Sequence, residues 1–179
     1  MFNLKSIYFY FLATQISLIK IIKKIYFSTN YYNKSLISRT PQQFFFYPNP
    51  FLLSSIASHK KNSFKVSGID PNTFWISKNN TLMDKDLHSF LWLNSIDRKN
   101  DGKIIQKTIN IWMLKNSKYK NVIWTSPVLS KRIISWILNV DIILGGGLFE
   151  FRKKFFSSII VQANHLKKNI KFEKNYSNR

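Results

Sequence analysis

The segment from Val128 to Leu144 constrains the fold more than any other stretch of this chain. It is apolar on nearly every side, interrupted only by Ser130, Lys131, Arg132, Ser135, Asn139 and Asp141. A helix of that composition is stable only when other elements cover most of its circumference. Ser126-Pro127 supplies an N-cap and a proline at the first helical position. Gly145-Gly146-Gly147 ends the helix, because glycine accepts the left-handed conformation needed past a helix C-terminus. The segments that would cover it are helical in pattern as well. Thr81-Leu82-Met83-Asp84 has the form of a capping box with Asp in place of Glu, and Leu87, Phe90, Leu91 and Asn94 continue as one stripe. After the turn Asn100-Asp101-Gly102, the residues Ile105, Thr108, Ile109, Trp112 and Met113 recur at helical spacing. A last helix is expected from Leu148 to Lys168, with Phe151, Phe155, Ile159, Ala163 and Leu166 on one face. Four helices on short-to-medium links predict antiparallel hairpins in a mainly α domain spanning 81–179.

The first 80 residues read differently. Residues 1–28 form an apolar stretch whose uninterrupted run, Ile7 to Ala13, is short, and Lys20, Lys23 and Lys24 interrupt its second half. A membrane-spanning helix needs about 20 apolar residues, so the stretch is expected not to span. It reads as a basic amphipathic helix lying on protein or on a membrane face. A signal peptide is the alternative: Lys5 and the apolar run suit one, whereas Ala13 and Thr14 make a weak cleavage site. Residues 29–80 form an irregular arm. Thr40-Pro41, Tyr47-Pro48 and Asn49-Pro50 disfavour helix. Phe44 to Tyr47 would pack as an extended aromatic arm, and a short hairpin is expected near 63–76 around Gly68.

The chain carries 28 Lys and Arg against 8 Asp and Glu, a formal net charge of +20. Such an excess admits a polyanion partner: nucleic acid, anionic lipid or acidic polysaccharide. The charges are scattered, which is equally the pattern of a solvated surface in a Lys-, Asn- and Ile-rich chain. There is no cysteine, hence no disulfide frame and no thiolate metal site. The glycine run comes after a helix and lacks the Lys-Ser/Thr sequel of a phosphate loop. His59, His88 and His165 are far apart, no metal-ligand spacing occurs, and no carboxylate pair suits acid–base work. Sequence signatures of nucleic-acid readers are also missing, so nucleic acid is not the expected partner.

Two constellations carry chemistry. His88 and Trp92 lie four apart, which on a helix puts them on one face. An indole offers a flat apolar plate to a sugar ring, and an imidazole hydrogen-bonds hydroxyls; the same spacing also suits a core tryptophan beside a satisfied histidine. Arg132, Trp136 and Asn139 line one side of the apolar helix downstream of Trp124. A guanidinium there needs a partner, either a protein acceptor or a substrate carboxylate. Spacing alone favours the protein acceptor.

Together these stretches resemble the N-terminal helical domain of heparinase II/III-like polysaccharide lyases. The likeness rests on Leu87-His88-Ser89-Phe90-Leu91-Trp92-Leu93, then Trp124 and Pro127, then Ser130-Lys131-Arg132-Ile133-Ile134-Ser135-Trp136-Ile137. It continues weakly through Phe151–Phe155 and Gln162–Leu166, covering about residues 72–170. The resemblance implies a partial (α/α) toroid whose concave face binds a uronate-containing acidic polysaccharide for β-elimination, without cofactor or metal. It implies substrate contact or groove shaping by His88, Trp92, Trp124 and Arg132. The family's Tyr and His catalysts, on later toroid helices and in a β-rich domain, have no counterpart in this chain. The expectation is therefore an N-terminal fragment, inactive alone, whose partners include the missing part of the toroid, in a bacterial cell envelope or periplasm. A basic helical protein binding RNA or an anionic membrane, in peripheral contact, is the alternative.

Overall fold

A computed structural model of the chain describes residues 4–39, 70–75, 81–96 and 102–177. The chain divides into two compact units, Met1–Ser35 and Leu36–Arg179. Among the described residues the regular elements are all helical, so the protein is mainly α. No helix among them is long and apolar enough to cross a membrane. The aromatic run 44–47, the proline turns of 40–50 and the turn at Asn100-Asp101 lie outside the described residues.

The first unit contains α1 (Leu4–Ser28) and the short α2 (Asn30–Lys34). Thr29 separates them in an extended conformation and serves as the N-cap of α2. Its hydroxyl donates to the Tyr26 carbonyl at 2.7 Å and accepts from the Tyr32 amide at 3.1 Å, so one side chain serves both helix ends. Phe27 stacks on Tyr32 at 4.5 Å, which folds α2 back over the end of α1.

The second unit contains α3 (Thr81–His88), a 3-10 turn (Leu91–Ser95), α4 (Gly102–Lys115), α5 (Ser126–Leu138), α6 (Val140–Leu144) and α7 (Phe149–Ser177). α5 is the centre of the bundle: it packs on α7, on α3 and on the 3-10 turn, while α4 packs on α6 and α7. The core is aromatic. Phe90, Trp112 and Trp136 meet pairwise edge to face at 5.2–5.5 Å, the arrangement that ring quadrupoles favour. Phe155 of α7 closes the cluster against Trp136 at 5.1 Å.

The structure departs from several sequence expectations. The stripe 87–94 is not one helix. α3 stops at His88, Phe90 adopts φ 60°, and the chain continues as the 3-10 turn. His88 and Trp92 therefore do not share a helix face. The cause is tertiary: the fully buried Phe90 ring is held among the core tryptophans, and its carbonyl accepts the Ser135 hydroxyl at 2.5 Å. The long apolar helix is likewise split at Asn139, whose amide donates to the Ser135 carbonyl and to Asn94, both at 2.8 Å. Its N-cap is Thr125 rather than Ser126, because the Ser126 hydroxyl accepts from Asn169 of α7 at 2.6 Å. Within the expected hairpin, 63–69 and 76 lie outside the described residues, and 71–75 form a turn. There the Asp70 carboxylate caps the Asn72 amide at 3.1 Å and the Asp70 carbonyl accepts from Phe74. The stop at Gly145–Gly147 is present, with Gly146 at φ 66°.

Phe90→Gly separates backbone from packing. It relieves about 1–2 kcal/mol of left-handed strain but empties a site whose truncation costs about 3–5 kcal/mol. Denaturant unfolding followed by tryptophan emission is expected to show a net loss of about 2 kcal/mol. An unchanged or raised stability would show that the backbone, not the ring, dominates at this position.

Candidate functional site

Arg132 sits on the central helix α5 and is completely buried. Its Nη1 donates to the carbonyls of His88 and Ile123, each at 3.0 Å. Its Nε donates to Oε1 of Gln162 on α7. The guanidinium also lies over the Trp112 ring of α4, 4.4 Å from the centroid. Its Nη2 has no hydrogen-bond partner among the described residues. Burial pushes the guanidinium pKa down to about 9. The group thus stays charged at neutral pH without a carboxylate facing it among the described residues. Because the folded-state value is lowered, the desolvation cost is present at every pH below about 9 and falls away as pH rises beyond it.

The two carbonyls that Arg132 holds belong to the walls of a cavity of about 310 Å³. Trp75, His88, Lys115, Asn116, Lys120, Asn121, Val122 and Ile123 line it. They come from the 70–75 turn, the end of α3, the end of α4 and the loop leading to α5. Each polar member is oriented. Trp112 donates its indole N–H to His88 Nδ1 at 2.8 Å, so that nitrogen is unprotonated and the imidazole is fixed in one orientation. Trp75 stacks on His88, centroids 5.5 Å apart and planes within 17°, and donates its own N–H to the Thr108 carbonyl at 2.9 Å. Asn116 is buried, gives its amide to the Trp112 carbonyl and accepts from Lys120 Nζ at 2.9 Å. The Tyr119 hydroxyl lies 3.1 Å from Asn121 Oδ1, and burial raises its pKa, which keeps it a donor. The result is a recess with two ammonium groups, two carboxamides, an imidazole and an indole edge, suited to a small polar anion. Among the described residues no group of His, Asp or Glu is placed to hold a metal ion.

The four residues singled out from sequence fall in different places. His88 lines the cavity, half-buried. Arg132 lies behind its walls. Trp124 is buried, edge-on to His165 at 5.3 Å. Trp92 is buried on another side of the core, stacked on Phe90 and donating to the Leu87 carbonyl at 3.0 Å. The structure therefore joins His88 and Arg132 through a direct hydrogen bond, while Trp92 lies outside the cavity lining. Trp75, Asn116, Asn121 and the two lysines were not expected. The signal that points to them is the repeated Lys-Asn pair, Lys115-Asn116 and Lys120-Asn121, flanking a short interhelical loop.

Arg132→Lys and Arg132→Met discriminate between charge and geometry at this position. Lysine retains a buried charge but cannot serve three acceptors on three elements. We expect Arg132→Lys to cost about 3 kcal/mol and to unfold at lower denaturant than Arg132→Met, which abandons the charge as well as the bonds. The reverse order would show that the positive charge itself stabilises the fold. No family profile, no curated protein and no solved structure matches this chain.

Proposed function

We propose that this protein binds uronate-containing acidic polysaccharide in the recess beside His88, as the N-terminal helical part of a heparinase II/III-like lyase. The observation that carries this reading is the cavity lining: Lys115 and Lys120 beside Asn116, Asn121, His88 and the indole of Trp75. A uronate presents a carboxylate, several hydroxyls and an apolar ring face. Ammonium groups meet the first, carboxamides and imidazole the second, and the indole edge of Trp75 gives apolar contact to the third. In this reading α3 to α7 are successive hairpins of an (α/α) toroid, and the recess lies toward its concave face. Arg132 acts as a positioning residue, joining the His88 and Ile123 walls, and Trp92 and Trp124 hold the helices that carry them. The reading is one of binding; the proton transfers of β-elimination are assigned to no residue of this chain. Such a substrate fits work in a bacterial cell envelope or periplasm.

Heparin alone is a poor probe, since a chain of net charge +20 adheres to any polyanion. The test is titration with short uronate oligosaccharides and neutral oligosaccharides of equal length, read by tryptophan emission and calorimetry. The uronate series is expected to bind and the neutral series not. Lys115→Gln with Lys120→Gln should weaken binding about tenfold or more, and an emission melt follows separately the cost of losing the Lys120–Asn116 bond. Equal affinity for neutral sugars, or unchanged affinity in the double variant, would end this reading.

A further inference from the structure

The first unit handles its apolar residues in a way a helix destined for a protein interior would not. Along α1, successive residues advance by about 100° around the axis. Ile7, Phe11, Leu18, Ile22 and Ile25 therefore fall on one stripe, and Tyr8, Tyr26 and Ile21 flank it. All five stripe residues are between 53% and 64% exposed. In the C-terminal half of α1, Lys20, Lys23 and Lys24 occupy the opposite arc, with Lys23 Nζ 5.6 Å from the centre of the Phe27 ring; in the N-terminal half that arc carries the exposed Phe9, Leu12 and Ile16. No acidic residue precedes Asp70, so nothing in this unit neutralises those charges from within the sequence.

We propose that α1 is an interfacial membrane helix that lies in the plane of an anionic bilayer, with the Ile7–Ile25 stripe in the acyl boundary and the lysines among the headgroups. The length fits: 25 residues make a rod of about 37 Å, and α1 does not meet the requirements of a spanning helix. Surface helices are defined by an apolar face opposite a basic one rather than by high overall hydrophobicity. Tyr8, Tyr10 and Tyr26 suit the headgroup level, where aromatic rings with a polar tip concentrate. Charge complementarity selects the occupant. A nucleic acid would engage the lysines and leave the apolar stripe in water. A second copy would cover the stripe but leave both lysine arcs facing water, with no anionic partner for them. An anionic lipid surface satisfies both faces at once. The proposal uses residues of the first unit alone and the cavity beside His88 uses residues of the second, so the two proposals stand or fall independently.

The test is co-sedimentation of the full-length chain with phosphatidylcholine vesicles and with vesicles containing phosphatidylglycerol. Binding to the anionic vesicles should be tighter by roughly tenfold or more and should fall with added salt. Leu18→Asp with Ile22→Asp is expected to remove binding to both vesicle types. Lys20→Gln, Lys23→Gln and Lys24→Gln together should reduce anionic binding to the zwitterionic level. All 5 tryptophans belong to the second unit, so an unchanged emission melt shows that each variant keeps that unit folded. Three outcomes overturn the proposal. One is failure to bind anionic vesicles. Another is anionic binding that survives the aspartate substitutions, which would assign it to other lysines. The third is lipid-free self-association that those substitutions abolish, which would assign the stripe to a second copy.

Discussion

A single buried cation organises the second unit. Arg132 ties together the end of α3 through the His88 carbonyl, the loop before α5 through the Ile123 carbonyl, and α7 through Gln162. It also covers the Trp112 ring of α4. Taking a guanidinium out of water is costly, and the lowering of its pKa to about 9 reflects that cost. The cost is offset only because the planar fork meets acceptors that would otherwise be orphaned. Both carbonyls belong to residues where a helix has ended or not yet begun, so neither is consumed by a helical ladder. The arrangement is thus reciprocal: the chain ends need a donor, and the donor needs the chain ends.

The aromatic cluster arises from the same shortage of long elements. α3 and α6 are only 8 and 5 residues long, too short to hold themselves as helices. Large rings compensate by making many contacts from few positions. Phe90 alone touches Trp75, Trp92, Trp112 and Trp136. That density of contacts is what holds its backbone at φ 60°, where a non-glycine residue is strained. Breaking α3 after His88 also turns the His88 carbonyl toward Arg132 and the imidazole toward the cavity. The strained residue is therefore adjacent to the candidate site by construction.

How much of this could be read from sequence depended on whether polarity and burial agreed. Along α4 they do: Ile105, Thr108, Ile109, Trp112 and Met113 keep helical spacing and form the buried face. The proline at the start of α5 and the glycines after α6 mark their ends for the same local reasons in sequence and structure. Along α7 they do not. The buried line runs from Phe155 and Ile159 into Gln162, His165 and Asn169, while Ala163 is exposed. Hydrophobic periodicity assigns that face to Ala163 and Leu166, because it cannot anticipate partners such as Arg132 for Gln162 or Ser126 for Asn169. The left-handed Phe90 leaves no mark in sequence at all, being imposed by packing. Arg132 was legible as a residue needing a partner, but the partner's identity was not. The partners are two backbone carbonyls, which no side-chain pattern encodes, and the Gln162 carboxamide on a distant helix. The cavity leaves little trace in sequence for a related reason: its lysines and asparagines lie at the end of α4 and in the polar loop after it, which look like ordinary surface.

Two groups of basic residues sit in physically different settings, and the setting decides what each could do. In the second unit, Lys115 and Lys120 frame a recess whose remaining walls are fixed by hydrogen bonds, and the buried Arg132 adds positive potential behind them. An anion placed there would meet preoriented groups, so shape and charge would be read together. On α1 the lysines sit on a smooth helical surface across from an exposed apolar stripe, with no recess and no fixed acceptors among the described residues. That surface has no geometry with which to discriminate one anion from another; what it would suit is a charged plane with an apolar interior.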